Sequence, residues 1–226
     1  MRAYARKGEK FGYIVNGAKS CLIVKNSELA EMAKKVFGDE VNITLKGRCH
    51  LGAVIGSKEF KNQYCQEKVD KWLREMESLT EISKSRPHAA YVAFTKGFKS
   101  KFTYYLRTIK SFEEYVDPIE GVIHTSFLPS LLGRAEPLPE ELKGLVSLSP
   151  AQGGIGIPDL KRERLEQFNA SLDITAPLVN SIVTQSSTIP ARELMEDRKR
   201  EINAQRSAAA KSQIDRIDEL LSSDLL

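Results

Sequence analysis

The sequence predicts an α+β chain: a small β-α-β-β layer at the amino terminus, followed by mostly helical regions and a charged C-terminal helix. Three observations predict it. Short β-branched-rich runs separated by turn residues fill the opening fifth. After Gly56 the apolar spacing changes from alternation to a helical period. Beyond Pro190 the chain is highly charged, alanine-containing and free of glycine and proline. These changes divide the sequence into residues 1–56, 57–135, 136–185 and 186–226.

In chain order, the first ten residues are polar and basic and predict no element. Phe11 to Ile14 is a short apolar run that stops at the Asn16-Gly17 turn signal. Cys21 to Val24 reads as a strand, and Asn26 or Ser27 as the cap of a helix with Leu29, Met32, Ala33 and Val36 on one face. Gly38 ends that helix. Val41, Ile43 and Leu45 alternate with polar residues, so a strand is expected there. Lys46-Gly47-Arg48 reads as a tight turn, and His50 to Ile55 as the returning arm of a hairpin.

Ser57 suits the cap of a long helix whose face is Val69, Trp72, Leu73, Met76, Leu79 and Ile82. Pro87 fits the first turn of the next helix, residues 87–110, PHAAYVAFTKGFKSKFTYYLRTIK. Gly97 is expected to bend or break it. A third helical segment runs from Glu113 to Leu132, and Pro139 starts a short helix to about Val146. Residues 150–158, PAQGGIGIP, form a glycine-rich loop, after which Asp159 suits the cap of a helix through Leu172. The tail carries a thin stripe of Leu194, Ile202, Ile214, Ile217 and Leu220, as in an exposed or partner-dependent helix.

Composition narrows the function classes. Of 226 residues 41% are apolar and 28% charged, as in an ordinary globular protein, and the net charge of +4 is too mild for a bulk nucleic-acid coat. Cys21, Cys49 and Cys65 match no zinc or redox spacing, and their apolar neighbours suggest buried thiols. No signal peptide or membrane-length run is read, which predicts an intracellular protein of the nucleus or cytoplasm.

Catalytic signatures are sparse. His50, His88 and His124 have no ligand partner at helical spacing, and no nucleophile sits in a G-x-S-x-G turn. The glycine loop lacks the Lys-Ser/Thr of a P-loop, so it reads as a close-packed turn. The acidic pairs Asp39-Glu40, Glu113-Glu114 and Glu140-Glu141 lie at a hairpin entry and at helix starts, where dipole compensation explains them. No metal site is expected. One stretch stands out: Lys96, Lys99, Lys101, Arg107 and Lys110 alternate with Phe94, Phe98, Phe102, Tyr104 and Tyr105, with no acid from Lys96 to Lys110. Cations for phosphates and rings for bases suit a polynucleotide. The same residues also suit an amphipathic helix with core aromatics and a solvated basic face.

The order of several phrases resembles retrotransposon reverse transcriptases. GYIVNGAKS (residues 12–20) resembles the segment that closes the palm after the catalytic turn, and HLGAVI (50–55) the hairpin that grips the primer. The basic-aromatic stretch and GGIGIP are similar to the thumb and distal region. The likeness covers roughly residues 11–185. It implies an accessory role for Lys19 near the departing pyrophosphate, and primer positioning by Leu51 and Gly52. It places Lys96, Lys99, Lys101 and Arg107 on thumb helices beside an RNA/DNA template–primer. The family's paired aspartates precede the G…N…K segment, whereas Glu9 is the only acid before Gly12 here. The resemblance therefore implies the carboxyl-terminal part of a polymerase, inactive by itself, with the missing N-terminal part as a partner. Magnesium would be needed only by the complete enzyme, with no cofactor for this chain and no membrane. The alternative is a non-enzymatic helical interaction module that pairs through the charged C-terminal helix.

Overall fold

A computed structural model describes residues 2–14, 16–188, 190 and 192–223. The chain divides into two compact units, 1–66 and 67–226. The α+β character is as expected: a small mixed sheet region precedes a largely helical one.

The first unit opens with α1 (Arg2–Glu9), where no element was expected. This helix has no apolar periodicity to announce it. A 3₁₀ turn at Gly17–Lys19 follows, capped by Asn16, whose side chain accepts from the Lys19 N–H at 3.1 Å. Strand β1 (Cys21–Ile23) leads to α2 (Ser27–Phe37), which starts where the Asn26 side chain accepts from the Leu29 N–H at 2.9 Å and ends at Gly38. Strand β2 (Asn42–Thr44) then lies parallel to β1, with Leu22 opposite Ile43.

The hairpin is displaced from its expected place. It joins β3 (Gly47–His50) to β4 (Ala53–Gly56), with Cys49 opposite Val54. Its turn is Leu51-Gly52, not Lys46-Gly47-Arg48. Both turn residues have positive φ, 49° and 83°, the geometry that matches the twist of a two-residue hairpin. Glycine adopts it freely, whereas Leu51 is strained there. The parallel β1–β2 pair takes the strand that sequence pattern had assigned to the hairpin.

In this unit the α2 face expected to be covered is open: Leu29, Met32 and Val36 are exposed and Ala33 alone is buried. Of the three cysteines expected to be buried, two are not and one is. Cys49 is exposed and Cys21 half-buried, while Cys65 is buried, and burial pushes its thiol up to about 11 against the opposing pull of Lys61.

Helix α3 (Lys58–Ser85) starts where the Ser57 hydroxyl accepts from the Phe60 N–H at 3.2 Å. In the second unit its Val69, Trp72, Met76 and Leu79 are buried, whereas Ile82 is exposed. Helix α4 (Pro87–Ala93) begins with Pro87 in its first turn. Gly97 does not break the run. Phe94–Phe98 instead forms one wider π turn, in which the Lys99 N–H bonds to the Phe94 carbonyl, and α5 (Lys99–Thr108) continues from it. A second π turn, Ile123–Phe127, separates α6 (Val116–Val122) from α7 (Leu128–Leu131). Pro129 follows it closely, and a proline ring collides with the carbonyl four residues back in a regular helix.

Aromatic rings build this unit's core. Trp72 meets Phe102, Tyr105 and Phe112 edge-on at 5.3, 4.8 and 6.1 Å, and Phe94 stacks on Phe127 at 5.0 Å. Each such pair adds about 1 kcal/mol beyond the area it buries.

After α8 (Glu140–Ser147), the glycine loop leads into α9 (Leu160–Val183), capped by Asp159, which accepts from the Arg162 N–H at 2.9 Å. The final helix, α10 (Arg192–Ser223), finds its cover within the chain and runs antiparallel to α9. Arg206 donates to the Gln167 side-chain oxygen at 3.1 Å, Gln213 donates to the Gly144 carbonyl of α8, and Arg162 bonds Gln213. Of its stripe, Ile217 is buried, Ile202 and Ile214 are half-buried and Leu194 is exposed; the Leu220 side chain lies outside the described residues.

Candidate nucleic-acid interface

The basic-aromatic stretch separates into two faces. Phe94, Phe102 and Tyr105 turn inward and belong to the core, so they are not available for stacking on bases. Tyr104 reaches the surface, 37% exposed, and Phe98 is half-buried beneath the Lys101 ammonium. The aromatic half of the sequence signal is thus structural.

The cations take three different situations. Lys101 is neutralised: its ammonium lies 3.0 Å from Glu75 and 4.4 Å from the centre of the Phe98 ring. Lys96 is exposed on the π turn. Lys99 and Arg107 come together along one groove. Spacing explains that, since residues 99, 103 and 107 follow one another at four-residue steps on α5. Among the described residues Lys96, Lys99 and Arg107 form no ion pair.

The groove has a volume of 510 Å³. Its lining also includes the hydroxyl-bearing Thr95, Ser100, Thr103, Tyr104 and Thr108 from the α4–α5 run, and Ser171 from α9. Hydroxyl and ammonium donors set in a row suit anionic oxygens. The Thr108 hydroxyl donates to the Tyr104 carbonyl at 2.7 Å and the Thr95 hydroxyl to the Tyr91 carbonyl at 2.9 Å, so these two would reach a phosphate only by giving up those bonds. Sequence reading missed the hydroxyls. Those on α5 could have been found from the same four-residue steps that align Lys99 with Arg107. Ser171 comes from a distant helix and had no sequence signal.

Lys99 is also bound within the chain. Its ammonium donates to the Gly156 carbonyl at 3.0 Å, which occupies one of its three donors. The glycine loop supplies that carbonyl and has the close packing expected of it. A Cβ on Gly154 would lie 2.2 Å from the Leu148 carbonyl oxygen, and Gly156 sits at φ +69°. On α9 Glu163 accepts from the Gln167 amide at 3.2 Å. Burial pushes the Glu163 carboxyl above its usual range, against the pull of Gln167, Lys99, Arg162 and Arg206.

A second polar cluster lies in the core. His124 Nε2 is 2.8 Å from Glu120, whose other carboxylate oxygen accepts from the Leu160 N–H at 3.0 Å. Both side chains are buried, and Nδ1 of His124 has no partner among the described residues. Glu120 thereby caps α9 from a neighbouring helix.

The remaining sequence-predicted residues belong to the first unit. Lys19 ends the 3₁₀ turn and is exposed. Leu51 and Gly52 form the hairpin turn; Leu51 is 83% exposed, and the Gly52 carbonyl accepts from the Tyr64 hydroxyl at 2.8 Å. Val15, inside the GYIVNGAKS segment, lies outside the described residues. Among the described residues no three His, Cys, Asp or Glu side chains gather as a metal donor set. No helix among them is long and apolar enough to cross a membrane. Comparison with protein-family models, curated proteins and solved structures returned no match for this chain.

Proposed function

We propose that the α5 groove binds the phosphodiester backbone of an RNA/DNA template–primer, as the thumb-side portion of a retroelement reverse transcriptase whose catalytic carboxylates this chain does not supply. One observation carries the reading: Lys99 and Arg107 line a single groove together with hydroxyl side chains, and among the described residues no carboxylate lines it. Eight residues of helix separate the two cations by about 12 Å, a few phosphate steps along a polynucleotide strand. Contacts of this kind track charge and not base identity, so binding is sequence-tolerant. In this reading the nucleic acid is held but not extended. The protein acts where polymerases act, in the nucleus or cytoplasm, alongside the N-terminal part that carries the catalytic turn.

Titration of the full chain into a short fluorescent RNA–DNA hybrid, followed by anisotropy at several salt concentrations, tests the proposal. Binding should weaken steeply with salt. Arg107→Ala and Lys99→Met should each lower the slope of log K against log salt by about 0.9. Lys101→Met, which removes a cation already paired with Glu75, should change the slope little. Salt-independent binding, or none, overturns the reading.

A further inference from the structure

The glycine loop reaches the groove through the Gly156 carbonyl oxygen, which accepts from the Lys99 ammonium. That oxygen is firmly placed. The Gly156 N–H donates to the Leu148 carbonyl at 2.8 Å, and the neighbouring Ile155 carbonyl accepts from the Tyr91 hydroxyl at 2.7 Å. Ile157 and Leu148 on either side are buried at 1% and 3% exposure, and Gly154 has no space for a side chain. A lysine ammonium on four rotatable bonds loses considerable entropy when it is held at a ligand. A carbonyl that already holds it removes part of that cost before the ligand arrives.

We infer that the loop at residues 153–157 is a positioning element of the groove, in which the Gly156 carbonyl, steadied by Tyr91, holds the Lys99 ammonium where a phosphate docks. This rests on the proposed reading of the groove. It assigns a binding role to a motif whose spacing excludes it as a phosphate cradle in its own right. The loop contributes an acceptor to the lysine, not donors to the anion.

A double-mutant cycle on the full chain decides it, read as affinity for the same fluorescent hybrid, with thermal melting confirming that each variant is folded. Gly156→Ala has room for its methyl but is strained at φ +69°, which shifts the peptide that carries the carbonyl. Tyr91→Phe removes the hydroxyl and leaves the ring, and decides the matter should Gly156→Ala not fold. Each is expected to weaken binding about threefold in the wild-type background. Neither should weaken it further in a Lys99→Met background, because the group they position is gone. Equal losses in both backgrounds mean a general structural role and overturn the inference. It is also overturned if Lys99→Met weakens binding while both loop variants bind as wild type; the groove reading then stands. If the wild-type chain does not bind, the groove reading fails and the inference fails with it.

Discussion

The two units differ in how far each is closed on itself. In residues 2–66 the described side chains that are buried are Ala33, Val54 and Cys65, while Phe11, Ile14, Val36 and Leu51 are each more than two-thirds exposed. The second unit buries Phe94, Phe102, Phe112 and Phe127 almost completely, together with Trp72 and Met76. Folding is driven mainly by apolar area removed from water, about 25 cal/mol per Å². By that measure the helical unit has a core of its own, and the β-rich unit has little. Strands of three residues, in sheets of two, are marginal without further cover. The difference teaches that the candidate groove stands on the better-built half.

The sharpest way to break this comparison is to remove one large apolar side chain from each unit. Phe94 is fully buried and packs on Phe98, Phe102 and Phe127. Phe94→Ala should cost about 4 kcal/mol through lost burial and the cavity left behind. Leu29→Ala on the open face of α2 should stay within about 0.5 kcal/mol, because little is uncovered. Urea unfolding followed by the fluorescence of Trp72 measures the first, and amide hydrogen exchange along α2 measures the second. Similar losses from both would mean that the first unit has a core that solvent exposure fails to reveal.

A smaller effect tests a polar support of the second unit. Glu120 joins His124 to the amino terminus of α9, and all three groups lie away from water. Glu120→Ala leaves the Leu160 N–H and both nitrogens of His124 without partners. Stranded buried donors are costly, and the loss should be about 3 kcal/mol, seen as a lowered melting temperature. A change below about 1 kcal/mol would mean that water reaches the cluster and replaces the carboxylate.

What the sequence made legible follows how local each cause is. Asn26, Ser57, Pro87 and Asp159 act within one helical turn, and each starts the helix that its type and position announced. The parallel β1–β2 pairing joins Leu22 to Ile43 across an intervening helix, and no alternation pattern encodes it. The hairpin turn was misplaced because Lys46-Gly47-Arg48 has turn composition, whereas an apolar Leu51 occupies a strained turn position. The alignment of Lys99 with Arg107 was implicit in their spacing. The neutralisation of Lys101 was not, since Glu75 is on another helix. The inward turn of the aromatics was hidden as well: interleaving along a chain does not say which residues share a face once a π turn shifts the register. Likewise the cover of α10 comes from Gln167 and Gly144, far away in sequence.

The smallest expected effect concerns Glu163, where stability and binding should move together. Its carboxyl is held above the ordinary value of 4.5, mainly by burial. A raised carboxyl pKa means that the folded chain binds this proton more tightly than the unfolded chain. The contribution is then fully present below pH 4.5 and is lost as pH rises from there through the folded-state value. At neutral pH the ionised group opposes folding, although Lys99, Arg162 and Arg206 reduce the penalty. Glu163→Gln keeps an acceptor for the Gln167 amide and removes the charge. Melting curves between pH 4 and pH 8 should therefore lie closer together for the variant, with its melting temperature modestly higher at neutral pH. Removing a negative charge that interacts with Lys99 should also strengthen salt-sensitive binding of the hybrid at neutral pH, about twofold for an interaction damped by the surrounding cations. If stability responds and binding does not, then Lys99 serves the packing of α5 against the glycine loop and Arg107 alone meets the phosphates.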